Sequence, residues 1–143
     1  MNSSATHARE QLVVNGITRL RLASGPALGP VLCRVVSMVL TRADWPVDRL
    51  DETMLVCDAL CAHAPTYASD GQLTFSLQAD EREAELRVHD LEREDAEALL
   101  QDTVLPVVGN LLEQVADRIS IQADEGGTSV QIAIAFSSDW ERV

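Results

Sequence analysis

Two aspartates stand at positions where a carboxylate could contact a ligand. Asp58 lies in a segment with helical apolar spacing, and at about 100° per residue it falls about 80° from the centre of the apolar stripe. There it either faces a pocket beside the core or is a solvated edge charge. Asp90 ends a segment of alternating apolar residues, and by that alternation it points inward. It either caps the following helix or contacts a ligand.

The three cysteines are the other side chains with distinctive chemistry. Cys57 and Cys61 lie one helical turn apart with His63 close by, a spacing that could hold a metal ion, but free cysteines on an apolar stripe are commonly part of the core. We therefore predict no metal site. Cys33 and this pair would sense oxidation only if exposed, and their apolar neighbours predict inert thiols. An odd number without a CxxC motif indicates a reducing compartment and no disulfide framework.

Two helices must position Asp58. Residues 45–64 are predicted to form one amphipathic helix, because Pro46 suits a first helical turn and the apolar residues recur on one stripe. The predicted core stripe consists of Leu50, Met54, Cys57 and Cys61. A preceding helix over 26–42 is apolar most of the way round, so it either lies between a sheet and another helix or offers a surface to a second chain, a second copy included. The tight connection between the two helices predicts antiparallel neighbours.

Period-two alternation predicts five strands. They span 11–23, 72–78, 84–90, 119–123 and 128–136, and the first of them is one strand or a short hairpin. Two further helices are predicted over 92–101 and 105–117. The element order β, α, α, β, β, α, α, β, β predicts an α+β fold, a two-layer sandwich in which helices cover one face of a mixed, mostly antiparallel sheet. A single domain over 11–136 would then lie between a flexible N-terminal tail, 1–10, and a C-terminal tail, 137–143.

The balance of charges opposes binding to polyanionic partners. Eleven Lys and Arg against 23 Asp and Glu give a net charge of −12, which opposes binding to nucleic acid or to an anionic membrane. A protein with basic patches fits this charge better. The sequence contains no apolar run of about 18 residues and no apolar N-terminal stretch, so we expect a cytoplasmic protein.

Three segments, in this order, resemble the small anti-sigma factors and serine-protein kinases of the histidine-kinase-like ATPase superfamily, whose nucleotide site is the Bergerat fold. The segments are LDETMLVCDALCAHA, ending at Ala64, then LRVHD, ending at Asp90, and LPVVGNLLEQVADRISIQADEGGTSVQIAI, which contains Thr128. The likeness spans about residues 17–136. It depends on the order and spacing of the segments, since no single one is specific.

The resemblance implies roles for four residues of a nucleotide pocket. Asp58 matches the acid that orients the attacking hydroxyl or water in the family. Asp90 and Thr128 match the residues that read the adenine ring. Gly109 is what is left of the second glycine-rich box, which wraps the triphosphate in the family.

Other positions depart from the family. The Asn that binds magnesium is Ala62 here, which has no oxygen to offer. Both glycines of the family's DxGxG are replaced in the run from Asp90 to Glu94, which hinders close approach of the backbone to a nucleotide and places negative charge near its phosphates. The purine half of the pocket is retained in this sequence, whereas the phosphate half is largely lost.

The resemblance and its departures together predict an anti-sigma-factor-like regulator that controls transcription by binding a sigma factor or an anti-anti-sigma (STAS) protein, with kinase activity lost and no cofactor. The apolar helix over 26–42 is the expected contact surface and could also form a homodimer. The alternative is an active ATP- and magnesium-dependent serine-protein kinase that phosphorylates an anti-anti-sigma factor, with Asp58 as its base. A structural subunit without a regulatory task is the third hypothesis.

Overall fold

The computed structural model describes residues 16–68, 70–102, 104–105, 109–110, 115–124 and 126–138. The predicted N-terminal tail and residues 11–15 of the predicted first strand lie outside these ranges. The predicted C-terminal tail is described only at residues 137 and 138. Ser137 is the last residue of a strand and is buried.

A five-stranded sheet forms one layer of the fold. Its strands, in spatial order, are β1 (Thr18–Ala23), β2 (Gln72–Ala79), β3 (Glu83–Leu91), β7 (Val130–Ser137) and β6 (Arg118–Ala123). Two shorter strands, β4 (Val104–Leu105) and β5 (Gly109–Asn110), pair with each other. All four ladders of the five-stranded sheet are antiparallel, and β1 and β6 are its edge strands.

One face of this sheet is apolar and carries the core. Phe75, Val88 and Ile132 are fully buried, and the pairing of Phe75 with Val88 and of Val88 with Ile132 places them in one row across three strands. The opposite face carries polar side chains at the alternate positions of the same strands. The sheet therefore needs a covering layer on one side only.

Within the described residues, three helices supply that layer. They are α1 (Leu28–Arg42), α2 (Val47–His63) and α3 (Arg93–Asp102), and a 3-10 turn (Ala64–Tyr67) follows α2. α1 packs against α2 and β2, and α3 contacts α2, β6 and β7. The predicted two-layer α+β sandwich with helices on one face is confirmed.

The predicted helix over 105–117 is wrong at its start, where the described residues form strands, whereas Val115 near its end is helical. Val104–Leu105 and Gly109–Asn110 form the short pair β4 and β5, while residues 106–108 and 111–114 lie outside the described part of the chain. Two sequence features oppose the helix. Leu105 precedes a proline, which disfavours helical backbone at the residue before it, and Gly109 has low helix propensity.

The inward orientation predicted for Asp90 is also wrong. The pairing of β3 with β7 shifts register after Val88, and Leu91 pairs with Val130 and takes the buried position. Asp90 has a φ of 59°, so its backbone is left-handed and its side chain is exposed. The residue directly before α3 is Glu92 rather than Asp90. The alternation used for the prediction ends at this β-bulge.

α2 is rotated relative to its predicted apolar stripe. Its buried face consists of Arg49, Thr53, Val56, Cys57 and Leu60. Of the predicted stripe only Cys57 is fully buried, and the other three members are half-buried at the edge of the core. The difference arises because two polar residues are buried, whereas a pattern based on hydrophobicity assigns them to solvent.

Arg49 is a buried cation that joins α2 to the sheet. It is 3% exposed. Its Nε donates to the backbone oxygen of Ser137 at 2.8 Å, and Nη2 donates to that of Val115 at 3.3 Å. Nη1 forms an ion pair with Glu52 at 2.6 Å. One planar guanidinium thus holds the end of β7 and the chain just before β6 against α2.

Trp45 makes a second connection between the layers. Its indole Nε1 donates to the backbone oxygen of Asp80 at 2.7 Å, which ties the α1–α2 connection to the β2–β3 hairpin. The carboxylate of Asp80 accepts hydrogen bonds from the backbone N–H groups of Glu83 and Arg82, and these bonds hold the pKa of Asp80 below its ordinary value.

Replacement of Arg49 should be strongly destabilising. Arg49→Met keeps much of the side-chain volume but removes the ion pair with Glu52 and the hydrogen bonds to two backbone oxygens, so we expect a loss of about 3 kcal/mol in the free energy of unfolding. Arg34→Met, at an exposed position of α1, is the matched control and should change the free energy of unfolding by less than about 0.5 kcal/mol. Urea denaturation followed by circular dichroism measures both. Equal effects would contradict the role given to Arg49.

Candidate functional site

Asp58 lies on the outer surface of the helical layer, between α2 and α1. Its Oδ1 accepts a hydrogen bond from the thiol of Cys33, with an Sγ···Oδ1 distance of 3.3 Å. Ala62, one turn later, is exposed. Magnesium prefers near-octahedral oxygen ligands, and one carboxylate beside a thiol and a methyl group does not fit that requirement. Across the described ranges, no three His, Cys, Asp or Glu side chains are grouped so that they could hold a metal ion.

The thiols near Asp58 have raised pKa values. A hydrogen bond with Cys33, burial and nearby negative charge raise the pKa of Cys57 well above its ordinary value. Burial, followed by the charges of Cys33 and Asp58, raises the pKa of Cys61 to about 12. Both thiols are therefore protonated at neutral pH, and a protonated thiol is a weak nucleophile. These directions agree with the inert thiols expected from the sequence.

The other three residues of the predicted nucleotide pocket lie elsewhere. Asp90 lines a groove on the polar face of the sheet, the face opposite the helices. Thr128 is exposed in the turn between β6 and β7, and Gly109 belongs to β5. Asp58 is not among the residues that line the groove. The nucleotide roles of these four residues stay predictions.

The structure instead brings together three residues that the sequence analysis missed. On the polar face, Ser76 Oγ lies 2.7 Å from His89 Nε2, and His89 Nδ1 lies 3.3 Å from Asp124 Oδ1. Ser76 and His89 are buried. The sequence did contain a signal for this network, because polar residues occupy every second position of two strands that pair. These residues are Thr74 and Ser76 on β2 and Arg87 and His89 on β3.

Asp124 is the hub of this network. Besides His89, it accepts hydrogen bonds from Ser129 Oγ at 2.8 Å, from Gln131 Nε2 at 3.0 Å and from the backbone N–H of Asp90 at 3.1 Å. Desolvation raises the pKa of Asp124, but the hydrogen bonds from Ser129, Asp90 and His89 outweigh it, and the net pKa lies below the ordinary value. Asp124 is therefore ionised at neutral pH.

The network forms the floor of a groove of about 420 Å³. Two arginines flank Ser76 across the sheet, because Arg19 on β1 and Arg87 on β3 are its direct pairing partners. Arg87 forms an ion pair with Glu85 and donates to Gln131 at 2.6 Å. Arg19 is exposed, and its guanidinium has no hydrogen bond or ion pair with any residue that the structure describes. The groove therefore combines a cation that is hydrogen-bonded to neighbouring side chains with one that is exposed.

A second surface lies on α1. Val31 is 40% exposed and Met38 is 55% exposed, with half-buried Val35 between them. We call these three residues the α1 stripe. At about 100° per residue, Val31 and Met38 point about 140–160° away from Cys33, which contacts α2. The α1 stripe therefore lies on the flank of α1 that α2 does not cover.

Comparison with solved structures finds several chains that are similar to this one, and one of them is named here. A chain in the crystal structure of the SiaB–SiaC complex from Pseudomonas aeruginosa is similar to 95% of this chain over 98% of its own length, with 9% identity and a TM-score of 0.49. At this identity no residue role passes from that chain to this one. No protein-family model and no curated protein sequence matches this chain. Within the described residues, no helix has the length and apolar character needed to span a membrane.

The Asp124 network should make stability depend on pH in the acid range. Asp124→Asn replaces one acceptor oxygen by a donor, so we expect a loss of about 1–3 kcal/mol in the free energy of unfolding at pH 7. The folded pKa lies below the usual 3.8, so the wild-type advantage is present above pH 3.8 and is lost as the pH falls further. Urea denaturation between pH 3 and pH 7 measures the difference in the free energy of unfolding between the wild type and Asp124→Asn.

Asp44→Asn is the control for this measurement. Asp44 is exposed and also has a left-handed backbone, which Asn tolerates. Its substitution should leave the free energy of unfolding nearly unchanged across the pH range. A penalty for Asp124→Asn that stays constant down to pH 3 would show that the ionised carboxylate is not what stabilises the network.

Proposed function

We propose that this chain is an anti-sigma-type regulator that controls transcription by binding a sigma factor or an anti-anti-sigma (STAS) protein. The observation that carries the proposal is the exposed α1 stripe. Four residues of α1, Leu28, Leu32, Val36 and Leu40, are buried in the core. A helix that already buries a complete apolar face and still exposes large apolar side chains on another flank is suited to a protein partner. The class of partner comes from the resemblance of the three sequence segments.

The distribution of charge supports a basic partner segment. The chain carries a net charge of −12. Asp48, Asp51 and Asp58 are all exposed on α2, in the same helical layer as the α1 stripe. The net negative charge would steer the approach of a basic segment, and the apolar side chains of the α1 stripe would hold it, so a segment that is both apolar and basic is favoured.

Loss of phosphoryl transfer is part of the proposal. α3 begins at Arg93 and carries Glu94 and Asp95 in its first turn, directly after Glu92. A helix N-terminus attracts phosphate, but acidic side chains already occupy this one and would repel it. Together with Ala62 and the thiol that donates to Asp58, this acidic turn favours a scaffold kept for binding.

A charge placed on the α1 stripe should abolish partner binding without unfolding the protein. We expect Met38→Asp to weaken the affinity for the cognate sigma factor or STAS protein at least about 100-fold, because it buries an unpaired charge in the interface. Leu55→Asp is the matched control. Leu55 is 53% exposed on α2, so this variant should bind as the wild type does.

Isothermal titration calorimetry against sigma factors and STAS proteins encoded beside the gene measures these affinities. Light scattering after gel filtration reports the mass of each variant. Equal binding by the wild type and by Met38→Asp would contradict the proposal. Conversion of a wild-type dimer into a monomer by Met38→Asp, with no partner bound by the wild type, would assign the stripe to a second copy instead.

Nucleotide binding separates the proposal from the kinase alternative. We expect no heat with ATP or ADP at millimolar concentration and no gain from magnesium, because the phosphates meet acidic side chains and no described group completes a magnesium site. Calorimetric titration with each nucleotide, with and without magnesium, measures this. Binding of ATP that strengthens with magnesium would favour the kinase alternative, for which Asp58→Ala should stop phosphate transfer to an anti-anti-sigma protein.

A further inference from the structure

The Ser76–His89–Asp124 network has the connectivity of a catalytic triad. The carboxylate of Asp124 can only accept hydrogen bonds, so its contact with Nδ1 places the ring proton there and leaves Nε2 as an acceptor. Ser76 Oγ, at 2.7 Å, then donates its proton to Nε2. A nucleophile, a base and a group that orients the base are thus aligned in that order.

The three residues are held rigidly. Ser76 is 6% exposed and His89 is 8% exposed, and both lie on central strands that are paired on both sides. Asp124 is fixed by three donors besides His89. Such support by neighbouring hydrogen bonds keeps the geometry of an acid–base site within the tolerance that catalysis requires.

The groove also supplies a group that can stabilise an oxyanion, which a hydrolytic site requires. β2 is paired on both sides, so its backbone N–H groups are engaged in ladders and cannot stabilise an oxyanion above Ser76. Arg19 lies directly opposite Ser76 and can turn its guanidinium toward the Oγ. A cation so placed stabilises the negative charge that develops on a carbonyl oxygen under attack.

We propose that Ser76, His89 and Asp124 form a hydrolytic site for small carboxylic esters. Ser76 Oγ bonds to the carbonyl carbon while its proton passes to His89 Nε2. The ester C–O bond then breaks, and the alcohol leaves with that proton. Water attacks the acyl-serine, gives one proton to His89 and releases the carboxylic acid, and the proton returns to Ser76.

The first test labels the unaltered full-length protein with a fluorophosphonate. Attack by Ser76 would form an O–P bond and release fluoride, and mass spectrometry of peptides would locate the adduct. We expect one adduct per chain, at Ser76. Absence of an adduct at Ser76 under saturating probe would overturn the proposal, and this result does not depend on any variant folding.

The second test follows hydrolysis of p-nitrophenyl acetate. Ser76→Ala should lower kcat at least about 100-fold, and Arg19→Gln should lower kcat about 100-fold with little change in KM. Ser120→Ala and Arg21→Gln are the matched controls, since both residues lie on the polar face outside the network. The kcat of each control variant should stay within about twofold of the wild-type value. A rate for Ser76→Ala equal to that of the wild type would show that the network is structural only.

Discussion

The alternation of side chains along β2, β3 and β7 is the constraint on which the rest of the structure depends. It commits Phe75, Val88 and Ile132 to one face and so requires the helical layer. It equally commits Ser76, Arg87 and His89 to the other face, where the two neighbouring strands β2 and β3 bring them together. Buried polar groups that are packed this closely must form hydrogen bonds with one another. Among the described residues, none of the buried side-chain nitrogen and oxygen atoms lacks a hydrogen-bond partner.

The single interruption of that alternation builds the polar network rather than weakening it. At the bulge after Val88, Asp90 adopts a left-handed backbone, and its N–H donates to Asp124 instead of to a neighbouring strand. The same irregularity returns Leu91 to the core. β-bulges commonly redirect side chains beside functional sites. Here the bulge supplies one of the donors that keep Asp124 ionised and in place beside His89.

The fold could be predicted from the sequence because most of it depends on local periodicity. The strands β2, β3 and β7 alternate clearly, and the helices α1 and α2 are bounded by proline. The features that could not be predicted from the sequence arise from tertiary contacts. Arg49 is buried because two backbone oxygens distant in sequence accept its protons, and hydrophobicity carries no sign of that. The triad-like network combines residues from β2, β3 and the end of β6, so its members are separated along the chain and meet only in the folded sheet.

The two proposed surfaces lie on opposite sides of the sheet, and β1 carries side chains toward both faces of that sheet. Leu20 on β1 turns to the core beneath the helical layer, whereas Arg19 turns to the groove. β1 is paired on one side only, so its hydrogen bonds open at lower cost than those of the central strands. The cation opposite Ser76 therefore lies on an edge strand, whereas Ser76 and His89 lie on central strands that are paired on both sides.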